Sequence, residues 1–417
     1  MHPVLRAVAA ASFALLAACG TGPAIAPAPV PAAADQIAAP VLLVSLDGFH
    51  PAYLELGITP NLSRLAAGGV RAEWMTPSYP SLTFPNHYTI VTGLRPDRHG
   101  IVHNTMQDAQ LGGFKLSDRA AVGDGRWWGG EPVWVGAEKA GLPTATLSWP
   151  GSEAPVQGVQ PARWQPFDDT IPIPDRVDTV LGWLGEPAAT RPRFATLYFE
   201  HLDETSHDHG PESAQARAAI AQLDAAIGRL LQGLGERGLA DAVNLLVVSD
   251  HGMATVAPGQ AIAVEDMVDP RDARVVTAGQ SVGFAPLPGR EARAEAQLLG
   301  THEHYQCWRK NELPARWHYG AHPRVPPIVC QMHDGWDAVR REGLSRRAPG
   351  AVRGSHGFDP QSPTMRALFI AHGPAFREGL VLPPFDNVDV YPLLTRLLGI
   401  PAAPNDGDPQ TLRPALR

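Results

Sequence analysis

The chain has 417 residues, of which 44% are hydrophobic and 18% are charged, and its formal net charge is −8. A chain of this length and composition is an ordinary globular protein, with either one large α/β domain carrying insertions or two domains. Because the chain is mildly acidic and contains no basic tract, the sequence excludes a protein that coats nucleic acid.

The N-terminal 18 residues have the organisation of an export signal. It has a short basic start, then an apolar stretch, and it ends in small residues. The apolar stretch is too short to span a membrane. Its ending, Leu16-Ala17-Ala18-Cys19, resembles the lipobox of bacterial lipoproteins, and a secretory signal with a chance cysteine is the alternative. Residues 19–39 are rich in Ala and Pro and predict an extended tether. We therefore expect export to the bacterial cell envelope and a membrane anchor at Cys19, with the protein facing the periplasm.

Apolar runs alternate with segments of helical periodicity between residues 40 and 402. Strands are predicted at Val41–Leu46, 144–148, Phe194–Phe199, 245–248 and 367–371. Helices are predicted from Thr59-Pro60 to residue 67, from Phe84-Pro85 to Gly93, and at 131–140, 212–234 and 388–398. This alternation predicts an α/β fold with a doubly wound, mostly parallel central sheet flanked by helices.

Residues 254–353 differ from the rest of the chain in their pattern of predicted elements. They contain short strand candidates at 274–277 and 282–285 and then a loop-rich segment, which predicts an insertion that caps one side of the site. The two cysteines other than Cys19 are Cys307 and Cys330. In an exported chain this pair is expected to form a disulfide, and two separate buried thiols are the alternative.

Six acidic and histidine residues occur in four short segments, three of which follow a predicted strand. They are Asp47, Asp203, His207, Asp250, His251 and His356. Side chains just past parallel strands meet at the carboxyl edge of an open α/β sheet, where such folds keep their sites. Oxygen and nitrogen ligands in two sets of three suit a pair of zinc-like ions. A strand-terminal aspartate alone more often forms a turn or a cap, so the inference depends on the joint occurrence.

Thr83 precedes a probable helix start in PSLTFPNHY and is the candidate nucleophile. A free threonine hydroxyl is too weakly acidic to attack at neutral pH and needs a metal or a base. At a helix N-terminus it would also lie beside backbone N–H groups that favour phosphate oxygens. The alternative is that Thr83 only caps the helix. Together with the six ligands, the pattern indicates two-metal phosphoryl transfer.

Several segments resemble the nucleotide pyrophosphatase/phosphodiesterase family of the alkaline phosphatase superfamily. The resemblance covers roughly residues 40–402 and includes LDGFHPAYL, TPSYPSLTFPNHYTIVTGLRPDRHGIVHN, SWPGSE, VVSDHGM and RGSHGFD. It implies an alkaline phosphatase-like fold, with a catalytic domain at 40–402 and a C-terminal tail at 403–417.

The same resemblance implies roles for individual residues. One of two Zn²⁺ ions would be held by Asp203, His207 and His356. The other would be held by Asp47, Asp250 and His251, with Thr83 completing its coordination. Asn104 would hydrogen-bond a phosphate oxygen, although a surface or capping asparagine is the alternative. Phe84 would pack on the nucleotide base, although it would otherwise be a core residue of its helix.

The resulting prediction is a zinc-dependent hydrolase that cleaves nucleotide phosphodiester or pyrophosphate bonds to nucleoside 5′-monophosphates. The reaction would pass through a covalent threonine intermediate on Thr83. One alternative is a phosphodiesterase of the same fold that acts on lipid head groups such as glycerophosphodiesters, against which Phe84 argues. The other is a lipoprotein that only binds a ligand, against which the complete set of six ligands argues.

Overall fold

The structure, a computed structural model, describes residues 39–417. The predicted export signal, Cys19 and nearly all of the predicted tether lie outside the described residues. Within residues 39–417, no helix combines the length and the apolar character needed to cross a membrane.

An eight-stranded sheet forms the centre of the fold. Its strands are β1 (Val41–Leu46), β2 (Val70–Ala72), β3 (Thr144–Leu147), β4 (Arg163–Gln165), β5 (Phe194–Phe199), β6 (Asn244–Val248), β7 (Phe369–His372) and β8 (Leu380–Leu382). Their spatial order is β8-β2-β7-β6-β1-β5-β3-β4. Among these strands only β7 runs antiparallel to its neighbours, and the other neighbouring pairs are parallel. The predicted mostly parallel central sheet is confirmed.

The three central strands are buried along their whole length. Every residue of β1, β5 and β6 is buried, as expected for apolar runs in a parallel sheet that is covered on both faces. Val41 of β1 lies opposite Phe194 of β5 and Asn244 of β6, so the three strands are in register. Asp47 and Asp250, which follow β1 and β6, therefore emerge at the same carboxyl edge of the sheet.

Helices cover both faces of this sheet. They are α1 (Pro60–Gly68), α2 (Thr83–Thr92), α3 (Val133–Lys139), α4 (Ile173–Leu184), α5 (His201–His209), α6 (Ala214–Glu236) and α7 (Val390–Leu398). Side chains of β1 alternate between two hydrophobic cores, one shared with α2, α3 and α7 and the other with α1, α4 and α6. Each predicted helix has a counterpart whose ends lie within about two residues of the prediction.

Residues 254–353 add a second sheet of five antiparallel strands. In spatial order these are Ala273–Thr277, Ser281–Pro286, Ile328–Met332, Tyr305–Arg309 and Gly300–Thr301. The sheet has its own hydrophobic core, which includes Phe284 and Ile328. Cys307 lies opposite Cys330 on the adjacent strand, and the predicted disulfide between them is confirmed.

Residues 403–417 pack against the same domain. Leu412 and Ala415 are buried in the hydrophobic core that contains α7. The backbone N–H of Arg417 donates a hydrogen bond to the carbonyl of Ala375, at 2.9 Å. In the structure, the segment predicted as a tail is therefore folded onto the central domain.

Candidate active site

The turn after β1 brings three carboxylates close to one another. Gly48 has a φ of 68°, in the left-handed region that favours glycine. Its backbone N–H donates to Asp250 Oδ1 at 3.3 Å, and a Cβ at this position would lie 3.2 Å from Asp203 Oδ1. The sharp turn thus lets Asp47 lie beside Asp250 and Asp203 without a side chain between them.

The structure gathers the six sequence-predicted ligands in two groups of three. In each group, one ligand atom from each residue lies within 4.8 Å of the others: Asp47, Asp250 and His251, and Asp203, His207 and His356. The rings of His251 and His356 are stacked with centroids 3.6 Å apart, which makes the two groups neighbours. All six except half-buried His207 are buried.

All three histidines present the same nitrogen to their group. Nδ1 of each ring lies 2.9 Å from a backbone carbonyl, that of Gly354 for His207, Gly252 for His251 and Ser81 for His356. A carbonyl only accepts, so Nδ1 carries the proton in each case, and Nε2 keeps its lone pair when the ring is neutral. This is the arrangement by which proteins orient histidine ligands toward a metal.

Several acceptor atoms of the two groups lack a donor. Oδ1 of Asp47, Oδ1 of Asp203 and Oδ2 of Asp250 are buried and have no hydrogen-bond partner among the described residues. His251 Nε2, which carries a lone pair when the ring is neutral, lies 2.9 Å from Asp250 Oδ2. Buried acceptors that face each other are unfavourable unless a cation lies between them. The residues therefore fit a pair of divalent cations.

The pKa values of side chains in the two groups are shifted by burial and by their neighbours. Burial raises the pKa of the Asp47 carboxyl well above its ordinary value, and the negative charges of Asp250 and Asp203 raise it further. Burial also lowers the pKa of His356 to about 3, with a further lowering by the neighbouring His251. Burial also opposes the charge on His207 and His251, but the neighbouring Asp203 and Asp250 carboxylates outweigh it, so the pKa of His207 is raised to about 9 and that of His251 is raised above its ordinary value. A bound cation would take the place of these protons, because a histidine ligand is a neutral imidazole.

Two residues that the sequence reasoning missed hold the carboxylates in place. The Tyr198 hydroxyl donates to Asp47 Oδ2 at 2.6 Å. His87 Nδ1 lies 2.9 Å from the carbonyl of Thr83 and 3.4 Å from Asp250 Oδ2, while its Nε2 lies 2.8 Å from Ser45 Oγ. Both had a signal in the sequence: Tyr198 is the polar aromatic in the run FATLYF, and His87 follows Thr83 by one helical turn.

Thr83 lies in the first turn of α2, and the N-cap of the helix is Leu82. The alternative that Thr83 is only a cap is therefore not supported. Its Oγ1 lies 3.4 Å from His251 Nε2, beside the group that contains Asp47. Asn104 Oδ1 accepts the backbone N–H of Phe84 at 3.0 Å, so the Asn104 Nδ2 remains as a donor.

A cleft opens in front of Thr83. It is lined by Asp47, Thr83, Phe84, Leu116, Arg119, Val122, Ser148, Pro150, Glu153, Phe167, Tyr198, Glu200, Asp203 and Glu204. Phe84 is half-buried and its ring is 5.9 Å from that of Trp128, which is itself buried. These lining residues all lie outside the 254–353 insertion.

Comparison with known proteins agrees with this architecture and identifies its class. Murine ectonucleotide pyrophosphatase/phosphodiesterase 5, an inactive variant in complex with AMP, is similar to this chain with a TM-score of 0.85 and 31% sequence identity. The match covers 91% of this chain and 100% of the murine chain. The fold is therefore the alkaline phosphatase-like fold of that class of protein.

The sequence comparisons identify the family. The profile for type I phosphodiesterase / nucleotide pyrophosphatase matches residues 41–359. An uncharacterised pyrophosphatase/phosphodiesterase of Schizosaccharomyces pombe is 36% identical over 387 residues, which are 88% of this chain and 78% of the yeast protein. The chain belongs to the type I phosphodiesterase / nucleotide pyrophosphatase family.

Animal relatives are longer than this chain. Ectonucleotide pyrophosphatase/phosphodiesterase family member 3 of Rattus norvegicus is 36% identical over 389 residues, which are 91% of this chain and 44% of the rat protein. Venom phosphodiesterase CdcPDE of Crotalus durissus collilineatus is 35% identical over 398 residues, or 93% of this chain and 47% of the snake protein. The chain thus spans less than half the length of these two relatives.

Removing a ligand from one group should halve the metal content. Asp203→Ala and His356→Ala are each expected to lower the bound metal from about two ions per chain to about one, because each dismantles one group and leaves the other intact. Elemental analysis of the purified protein measures this. Asp208→Ala is the matched control, since it removes an exposed carboxylate from the same helix, α5, outside both groups. Unchanged stoichiometry in both ligand variants would contradict the assignment.

Proposed function

We propose that this chain is a zinc-dependent hydrolase that cleaves nucleotide phosphodiester or pyrophosphate bonds and releases nucleoside 5′-monophosphates. The observation that carries the proposal is the position of the Thr83 hydroxyl, in the first turn of α2 and 3.4 Å from His251 Nε2. A hydroxyl next to two groups of three ligands has the surroundings that activate a nucleophile. Membership of the type I phosphodiesterase / nucleotide pyrophosphatase family supports the same chemistry.

The donor set favours zinc as the metal. Aspartate and histidine donors, three to a group with room for a further ligand, are typical of catalytic zinc sites. When bound, two such ions promote deprotonation of a hydroxyl and stabilise the charge on the leaving oxygen. Tyr198 supports this arrangement, because its hydrogen bond to Asp47 Oδ2 leaves Oδ1 as the free ligand atom.

Thr83 would act as the nucleophile. Its Oγ1 attacks the phosphorus to form a nucleotidyl-threonine, which water then hydrolyses to the nucleoside monophosphate. Non-bridging phosphate oxygens would accept hydrogen bonds from the Thr83 backbone N–H, at the start of α2, and from Asn104 Nδ2. Because the Asn104 amide is oriented by the Phe84 backbone, its donor is fixed before substrate arrives.

The side chains next to Thr83 favour a nucleotide over a lipid head group. Phe84, Leu116, Val122 and Phe167 give the cleft an apolar and aromatic wall, against which a planar base can stack. The murine relative in complex with AMP supports this choice. A glycerophosphodiester has no ring to occupy such a wall.

We further propose that the chain is a membrane-anchored lipoprotein of the bacterial cell envelope that faces the periplasm. The support is the sequence Leu16-Ala17-Ala18-Cys19 at the end of an export-like segment, followed by an Ala- and Pro-rich stretch. A lipid on Cys19 would hold the catalytic domain near the membrane surface.

Loss of the Thr83 hydroxyl should abolish turnover. Thr83→Ala is expected to lower kcat by about a thousandfold or more while leaving metal content and substrate affinity close to wild type. Thr83→Ser, which keeps a hydroxyl, is the matched control and should retain much of the activity. Steady-state kinetics with a nitrophenyl ester of a nucleoside 5′-monophosphate measures both. An alanine variant that keeps more than about a tenth of wild-type activity would show that Thr83 is not the nucleophile.

Removal of the Phe84 ring should distinguish nucleotides from simple diesters. Phe84→Ala is expected to reduce kcat/KM for nucleotide substrates by roughly five- to a hundredfold, because base stacking contributes about 1–3 kcal/mol. Nitrophenyl methyl phosphate, which has no base, should be affected much less. The measurement is kcat/KM for both substrates, together with the Tm of the wild type and the variant. Equal losses together with a lower Tm would assign Phe84 to the core, and choline phosphodiesters cleaved in preference to nucleotides would favour the lipid head-group activity.

Cys19→Ala should release the protein from the membrane. The substitution removes the residue that carries the lipid, so the variant is expected in the aqueous phase or as an unprocessed precursor. Detergent partitioning of the expressed full-length protein measures the change. The same partitioning for wild type and variant would refute the lipid anchor.

A further inference from the structure

The charges that line the cleft are strongly asymmetric. Arg119 is its single cationic lining residue, and the Arg119 guanidinium is paired with the Glu153 carboxylate. The Glu200 carboxylate is paired with Arg176, which is almost fully buried behind it. Among residues 39–417, no ion pair is formed by the carboxylate of Glu204. Glu204 therefore contributes an uncompensated negative charge to the cleft.

Glu204 has a definite place relative to the nucleophile. It follows Asp203 on α5, so it lies next to the group that contains Asp203, whereas Thr83 lies against His251 of the other group. In an in-line displacement, the leaving oxygen departs on the side opposite to the attacking oxygen. A leaving group that moves away from Thr83 thus moves toward the Asp203 group and toward Glu204.

We infer that Glu204 selects substrates by the charge of the leaving group and disfavours polyanionic leaving groups. This inference rests on the proposed function of the same site. In the reaction, the bond from Thr83 Oγ1 to phosphorus forms and the bond from phosphorus to the leaving oxygen breaks, with the electron pair retained by that oxygen. A nucleoside triphosphate releases pyrophosphate, which carries several negative charges, and Glu204 repels it in the transition state. Diesters whose leaving group carries at most one charge escape most of this repulsion.

The test compares two substrates that share the base and the reacting phosphorus. Thymidine triphosphate releases pyrophosphate, and the nitrophenyl ester of thymidine 5′-monophosphate releases nitrophenolate. Glu204→Gln is expected to raise kcat/KM for the triphosphate about three- to tenfold and to leave that for the aryl ester within about twofold. For the wild-type enzyme, the ratio of kcat/KM for the aryl ester to kcat/KM for the triphosphate should also fall as ionic strength rises, because salt screens an exposed charge.

The matched control is Glu236→Gln, which removes the same charge from the last residue of α6. Glu236 is exposed, and its 23-residue helix runs for about 34 Å away from the site-bearing edge of the sheet. This variant should leave kcat/KM unchanged for both substrates. A Glu204→Gln enzyme with an unchanged substrate ratio, or a Glu236→Gln enzyme with the same shift, overturns the inference alone. If the metal-loaded wild-type protein hydrolyses neither the triphosphate nor the aryl ester, the proposed function is overturned as well.

Discussion

Three carboxylates buried at one edge of the central sheet impose the main physical constraint on this structure. Burial raises the pKa of the Asp47 carboxyl, the nearby Asp250 and Asp203 carboxylates raise it further, and several oxygens of the three have no donor among the described residues. Such a cluster is unfavourable in a low-dielectric interior unless positive charge compensates it. Two divalent cations would supply that charge, so metal binding and folding stability of this edge are expected to be coupled.

The remaining parts of the site can be understood as supports for this cluster. Tyr198 and His87 hold the carboxylates from within the sheet and from α2. The 254–353 insertion contributes indirectly: the Gln280 amide donates to Ser355 Oγ, and Ser355 precedes His356, one of the six candidate ligands. The insertion therefore stabilises the loop that carries a ligand. A substitution of Gln280 is therefore expected to disturb His356 through that loop, although Gln280 is not itself in either group.

The features of this fold and site that can be predicted from the sequence are those encoded in short segments of the chain. Val41–Leu46 and Phe194–Phe199 are continuous apolar runs, and their strand bounds follow from burial on both faces. Asp47 and Asp250 follow from their positions just after such runs, whereas His207 lies within α5 and His356 follows no apolar run. By contrast, the strands at 300–332 of the insertion have mixed composition, and their pairing is set by tertiary contacts and the disulfide. The roles of His87 and Tyr198 depend on side chains that meet only in the folded chain.

The position of Thr83 depends on a buried amide network that links distant segments. Asn86 Oδ1 accepts the backbone N–H of Ser78 at 2.7 Å, and its Nδ2 lies 2.9 Å from the carbonyls of Pro80 and Leu82. Asn387 completes the network by donating to Asn86 Oδ1 at 2.8 Å and accepting from Ser78 Oγ. Satisfied polar networks in an interior are rigid because every alternative arrangement leaves a group unpaired. These hydrogen bonds fix the loop before α2 on both sides, so Thr83 is held in place before any substrate binds.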